Sequence, residues 1–96
     1  MQSVHEVQAD ALRQYARAHD EIASHHSAES RDALALAALY QRHPNALEHY
    51  ALLAKSSGEC ARRHRAIAQC AALAADRLLG FRGSLTHPPQ PTQTGQ

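Results

Sequence analysis

Pro44 is the first proline in this 96-residue chain, and the next does not come until position 88. On either side of it run long stretches rich in alanine, with apolar residues recurring at steps of three and four. A residue before proline is pushed out of the α region, whereas proline itself is well accommodated in the first turn of a helix. Arg42-His43-Pro44-Asn45 is therefore the strongest boundary in the chain, and it sits almost midway, where a hairpin turns. Alanine has the best helix propensity, and β-branched strand formers are scarce. The chain is predicted to be all-α.

In the first half, Val4, Val7, Ala11, Tyr15, Ala18 and Ile22 mark one face of a helix. Ser3 is placed to cap it, with Glu6 three residues on in the capping-box position. The polar stretch from Ser24 to Asp32 holds neither Gly nor Pro, so nothing forces a stop. Ser27 followed by Glu29 and Asp32 nonetheless has the form of a fresh helix start. A continuous or gently kinked helix is expected. The run from Ala33 to Tyr40 is apolar on most of its circumference and should be covered on more than one side.

The second half repeats the pattern through Leu47, Tyr50, Leu53 and Ala54, then Cys60, Ile67, Ala71, Ala74, Leu78 and Phe81. Ser56-Ser57-Gly58 interrupts it, either as a helix end re-capped by Ser57 or as a weak point costing about 1 kcal/mol relative to alanine. Gly80 and Gly83 supply stop signals. Residues 84–96, with Pro88, Pro89 and Pro91, lack apolar periodicity and are expected to form a flexible, partly extended tail. The predicted architecture is a single helical domain over 1–83, an antiparallel helical hairpin. Its arms span about 3–42 and 45–81 and its turn 43–45. A compact four-helix bundle is the alternative if the arms break near 27 and 57.

Ten Lys+Arg residues against nine Asp+Glu leave a formal charge of +1. Neutralising phosphate needs a clustered basic surplus, so this balance argues against a dedicated nucleic-acid binder. The one basic cluster is Arg62-Arg63-His64-Arg65. On a helix Arg62 and Arg65 share a side while Arg63 points elsewhere, and Glu59 is spaced to pair with Arg62 or Arg63. A solvated helix face accounts for it; a regulatory nucleic-acid module using Arg62, Arg63 and Arg65 is the far alternative. No stretch approaches the ~18 apolar residues of a membrane span. The first residues carry no basic segment followed by an apolar run, so no secretory signal peptide of the usual kind is expected.

Chemistry-bearing residues are sparse. Cys60 and His64 lie four apart on one helical face, and a hairpin turning near 44 brings His25 and His26 roughly opposite 62–64. His26, Cys60 and His64 are thus weak candidates for a zinc-type site, which would make the chain a metal- or redox-responsive bundle. Against it, no Cys-x-x-Cys or His-Glu-x-x-His pair is present, and no cofactor is expected. On one straight helix Cys60 and Cys70 stand about 15 Å apart in rise, beyond the ~7 Å limit for bridging. Cys70, amid alanines, is expected to be a small buried apolar residue. His5-Glu6, His19-Asp20 and Glu48-His49 are chain neighbours whose side chains diverge, so none is an acid–base dyad. With no phosphate loop and no nucleophile elbow, the expectation is a non-enzyme. Protonating all eight histidines would take the charge from +1 to +9, and association should weaken near about pH 5 through repulsion.

The pattern Val7-x-x-Asp10-Ala11-Leu12-Arg13-x-x-Ala16-x-x-His19-Asp20-Glu21-Ile22-Ala23 resembles the first helix of small actinobacterial ESX-type (type VII) secretion proteins, relatives of the Trp-x-Gly family. Ala61-x-x-His64-x-x-Ile67-Ala68-x-x-Ala71-x-x-Ala74-Ala75 is similar to their second helix. The resemblance covers about residues 4–80. It departs from the family at the turn, where His43-Pro44-Asn45 stands instead of Trp-x-Gly, and after the second helix, where no Tyr-x-x-x-Asp/Glu signal follows. It implies a helical hairpin that is a secretion substrate or associated factor, exported without a signal peptide; without it, the expectation is cytoplasmic.

Small side chains bury little area each, so a lone hairpin would have a thin core. The expected function is pairing with a helical protein partner or as a homodimer. The expected interface is Leu36, Leu39, Tyr40, Leu47 and Tyr50, near the tip.

Overall fold

The protein is described by a computed structural model over residues 2–86, with side chains through Gly80. It is an antiparallel hairpin of two long helices, α1 (Val4–Leu39) and α2 (Pro44–Thr86), packed against each other. Ser3 is the N-cap of α1: its Oγ accepts from the Glu6 backbone N–H at 3.1 Å. The connection is Tyr40 to His43, three residues earlier than the expected turn at 43–45. Tyr40 donates its backbone N–H to Leu36 at 3.0 Å, His43 donates to Tyr40 at 2.9 Å, and Leu47 donates to His43 at 2.8 Å. Pro44 is the first residue of α2, the position where its missing N–H costs nothing.

Neither arm breaks. α1 runs through Ser27, and α2 runs through Gly58, Gly80 and Gly83 to Thr86, five residues past the expected end at 81. Glycine weakens a helix by about 1 kcal/mol but does not end one when its backbone N–H and carbonyl keep their helical partners. α2 is continuous to Thr86, the last described residue. The four-helix alternative is thereby excluded. The remainder of the tail, from His87, lies outside the described residues.

The packed seam is built on a seven-residue repeat of small residues. Ala9, Ala16, Ala23 and Ala37 are buried in α1, with half-buried Ser30 filling the same register. Ala54, Ala61, Ala68 and Ala75 are buried in α2. Three residues on from each lie Leu12, His19, His26, Ala33 and Tyr40 at the α1 side, and Ser57, His64, Ala71 and Leu78 on α2. A 3.5-residue apolar period is that of an antiparallel coiled coil. With alanine at the knobs the two backbones come close: Ser30 Oγ donates directly to the Ala54 carbonyl across the seam at 2.8 Å. No side chain larger than alanine is fully buried among the described residues.

The buried face of α1 is not the stripe that stands out in the sequence. Val4 is 71% exposed, Val7 53%, Tyr15 52% and Ile22 39%. A helix takes the face that lets its partner approach nearest, and here that is the alanine register rather than the bulkier one. Cys70, expected to be buried, is exposed, and both cysteines are free thiols. The run 33–40 is covered on one side only: Ala33 and Ala37 are buried, while Leu34 and Leu39 are exposed.

Candidate functional site

Two features of the hairpin go beyond what holds it together. The first is a flank. In an antiparallel coiled coil, the residues just before each seam alanine on the two helices face the same side. On α1 these include Tyr15, Ile22 and Leu36; on α2 they include Leu53, Cys60 and Ile67. Their sharing a side is visible in an open apolar groove lined by Leu12, Tyr15, Ala66, Ile67, Cys70 and Ala71. On the opposite flank Arg65 donates to Ser27 Oγ at 2.8 Å, one repeat before exposed Leu34.

The tip continues this surface. Tyr40 and Tyr50 stack across the seam with ring centroids 5.6 Å apart, and the rings of His43 and His49 lean on them. Of the expected interface residues, Leu39 is 77% exposed and Tyr40 is exposed, while Leu36, Leu47 and Tyr50 are half-buried. Leu34, Leu52 and Leu53 are also exposed nearby. Sequence inspection missed Leu34, Leu52 and Ile67 as surface residues because their spacing does not tell which side of a helix meets its partner.

The second feature is a group of aromatic and imidazole rings along the seam. His19 and His64 bring Nδ1 to Nδ1 at 2.7 Å. The Tyr15 ring lies 4.4 Å from that of His19, and the His26 ring stacks on His64 at 5.8 Å. His26 holds Glu29 through Nδ1 at 2.8 Å. The hairpin register therefore does bring His26 and His64 together, as the spacing suggested, and it also brings His19, which the spacing did not single out, into contact with His64. The signal for it was available: His19 and His26 are seven apart, one repeat of the seam. Among the described residues, no group of three or more His, Cys, Asp or Glu side chains is arranged to hold a metal ion.

The basic cluster does not form a patch. Arg62, Arg63 and Arg65 are exposed; Arg65 is engaged with Ser27, and Arg62 lies back toward Gly58. Glu59 makes no ion pair with Arg62 or Arg63 among the described residues. Arg13 and Asp76 form an ion pair between the arms at 3.4 Å with both side chains exposed, and such pairs contribute at most about 1 kcal/mol. No described helix is long and apolar enough to cross a membrane. No known protein family, curated protein or solved structure matches this chain.

Proposed function

We propose that this protein is a non-enzymatic helical hairpin that works by pairing with another helical chain, either a second copy or a different helical protein. The observation that carries this is the apolar flank. Tyr15, Ile22, Leu53 and Ile67 stand exposed in line beside a seam made of alanine. A hairpin buries one face of each helix; a second apolar face on the same edge has a use only when another chain lies on it. Leu36, Leu39, Tyr40, Leu47 and Tyr50 extend the surface to the tip. The resemblance to ESX-type secretion proteins agrees with such pairing, and on that basis the chain is proposed as an ESX-type secretion substrate or associated factor.

The test is light scattering after size exclusion, on the wild type and on Ile22→Asp and Ile67→Asp. Each side chain is more than a third exposed in the single hairpin, so the substitutions should leave the helix content intact. Burying an isoleucine stabilises an interface by about 1.5–3 kcal/mol, so each change should weaken self-association roughly 10- to 100-fold. If the wild type is instead a dispersed monomer at high concentration and binds no product of its neighbouring genes, the pairing idea is wrong.

A further inference from the structure

We infer that His19 and His64 form a proton-responsive clamp between the two arms, closed while the pair holds one Nδ1 proton and opened by a second. The inference is independent of the pairing proposed above. It begins with geometry. The Nδ1 atoms are 2.7 Å apart and the ring centroids 5.0 Å apart, with 24° between the ring planes. The centroid spacing is close to the nitrogen separation plus two ring radii, so the rings meet edge to edge with the two nitrogens facing. That is the arrangement of one N–H donating to one lone pair.

Such a pair has three proton counts with different consequences. With both rings neutral, one ring carries its hydrogen on Nδ1 and donates, and the other accepts. With one added proton, the donor is an imidazolium and the bond becomes charge-assisted. With two added protons, both Nδ1 atoms carry hydrogens, no acceptor remains, and two like charges face one another at hydrogen-bond distance. The two rings must then part, and the contact between the arms at this level of the seam is lost. A metal ion does not fit the same geometry: zinc needs each nitrogen about 2.0–2.1 Å away, which two nitrogens 2.7 Å apart and pointing at each other leave no room for.

The surroundings do not neutralise the second charge. From α1, Tyr15 contributes its ring to His19, and Asp20, next in the chain, is exposed. Also from α1, His26 lies against His64 and keeps Glu29 to itself. From α2, half-buried Cys60 lies one turn before His64, exposed Arg63 precedes it, Arg62 leans toward Gly58, and Arg65 crosses to Ser27. Among the described residues, neither His19 nor His64 has a carboxylate within ion-pair distance. Histidine is the side chain whose charge ordinarily changes between about pH 5 and pH 8, so mild acid is the stimulus.

The sign of the effect follows from proton counting. Unfolded, the two histidines take two protons freely; folded, the pair resists the second. The unfolded chain then binds more protons, so stability falls as the pH falls. A difference of one proton raises the unfolding constant about tenfold per pH unit across that range.

The experiment compares thermal or urea unfolding of the wild type with that of the double variant His19→Leu, His64→Leu from pH 8 to pH 4.5, at two protein concentrations. Leucine suits these seam positions, which Leu12 and Leu78 occupy elsewhere. The expected result is a wild-type slope steeper than the variant's by about one proton, equal at both concentrations, which separates the clamp from any effect of association. Parallel pH curves for the two proteins overturn the inference. A second measurement needs no variant: imidazole resonances of the wild-type protein should show His19 and His64 titrating together in two separated steps. Two independent single-step titrations overturn it. So does a drop in wild-type stability when a chelator is added at neutral pH, because the pair would then be holding a metal.

Discussion

A Cβ added at Gly58 would stand 3.5 Å from Ser30 Oγ and 3.7 Å from the Arg62 guanidinium, ordinary contact distances. The glycine is therefore not required for the helices to approach. Gly58→Ala should stabilise the hairpin by about 0.5–1 kcal/mol, because alanine has less backbone freedom to lose on folding and keeps every contact. A urea titration with an unchanged slope and a higher midpoint is the expected readout. Ser30 is different, because its hydroxyl spans the seam to the Ala54 carbonyl at 2.8 Å. Ser30→Ala removes that donor but leaves the carbonyl its helical partner, so the loss should be about 0.5–1.5 kcal/mol. At this scale the chain was partly legible. The Ser3 cap and the placement of Pro44 follow from chemistry within a few residues of each. The partners of Ser30 and His19 are 24 and 45 residues away, and no local rule reaches them.

At the scale of the helix, the informative quantity is the period. The seam repeats every seven residues, which keeps one face against its partner along the arms, and its small knobs set how closely the two backbones approach. Ala61 is 2% exposed and sits midway along α2 in this register. Ala61→Leu forces three further carbons into a gap sized for a methyl and should cost about 1–3 kcal/mol. The same exchange at Ala66, which is exposed, should be nearly neutral. Unfolding the two variants side by side tests the register directly. The stripe of Val4, Val7, Tyr15 and Ile22 has the larger apolar side chains and a plausible helical spacing, yet it faces outward. Alanine is where local inspection fails: Ala9 and Ala16 are buried while Ala11 and Ala18 are exposed, and nothing in the residues themselves separates the two sets.

For the molecule as a whole, the thinnest dimension is 13 Å, close to the diameter of a single helix. The hairpin is one layer of secondary structure, whereas stable domains are built from at least two packed layers. A core of alanines contributes little burial energy per residue, so the single hairpin should be only marginally stable. If the second layer is supplied by another chain, the unfolding midpoint should rise with protein concentration, because a partner that binds only the folded state stabilises it by mass action. A midpoint independent of concentration over a hundredfold range would show that the hairpin stands alone. All-helical character and one reversal near Pro44 follow from composition and proline chemistry, both properties of the chain that act within a turn or two. The choice among several alanine stripes, the meeting of His19 with His64, and the apolar edge left uncovered arise only once two arms lie side by side. Each of these is set by which faces approach most closely, a matter of distance in space between residues far apart in the chain.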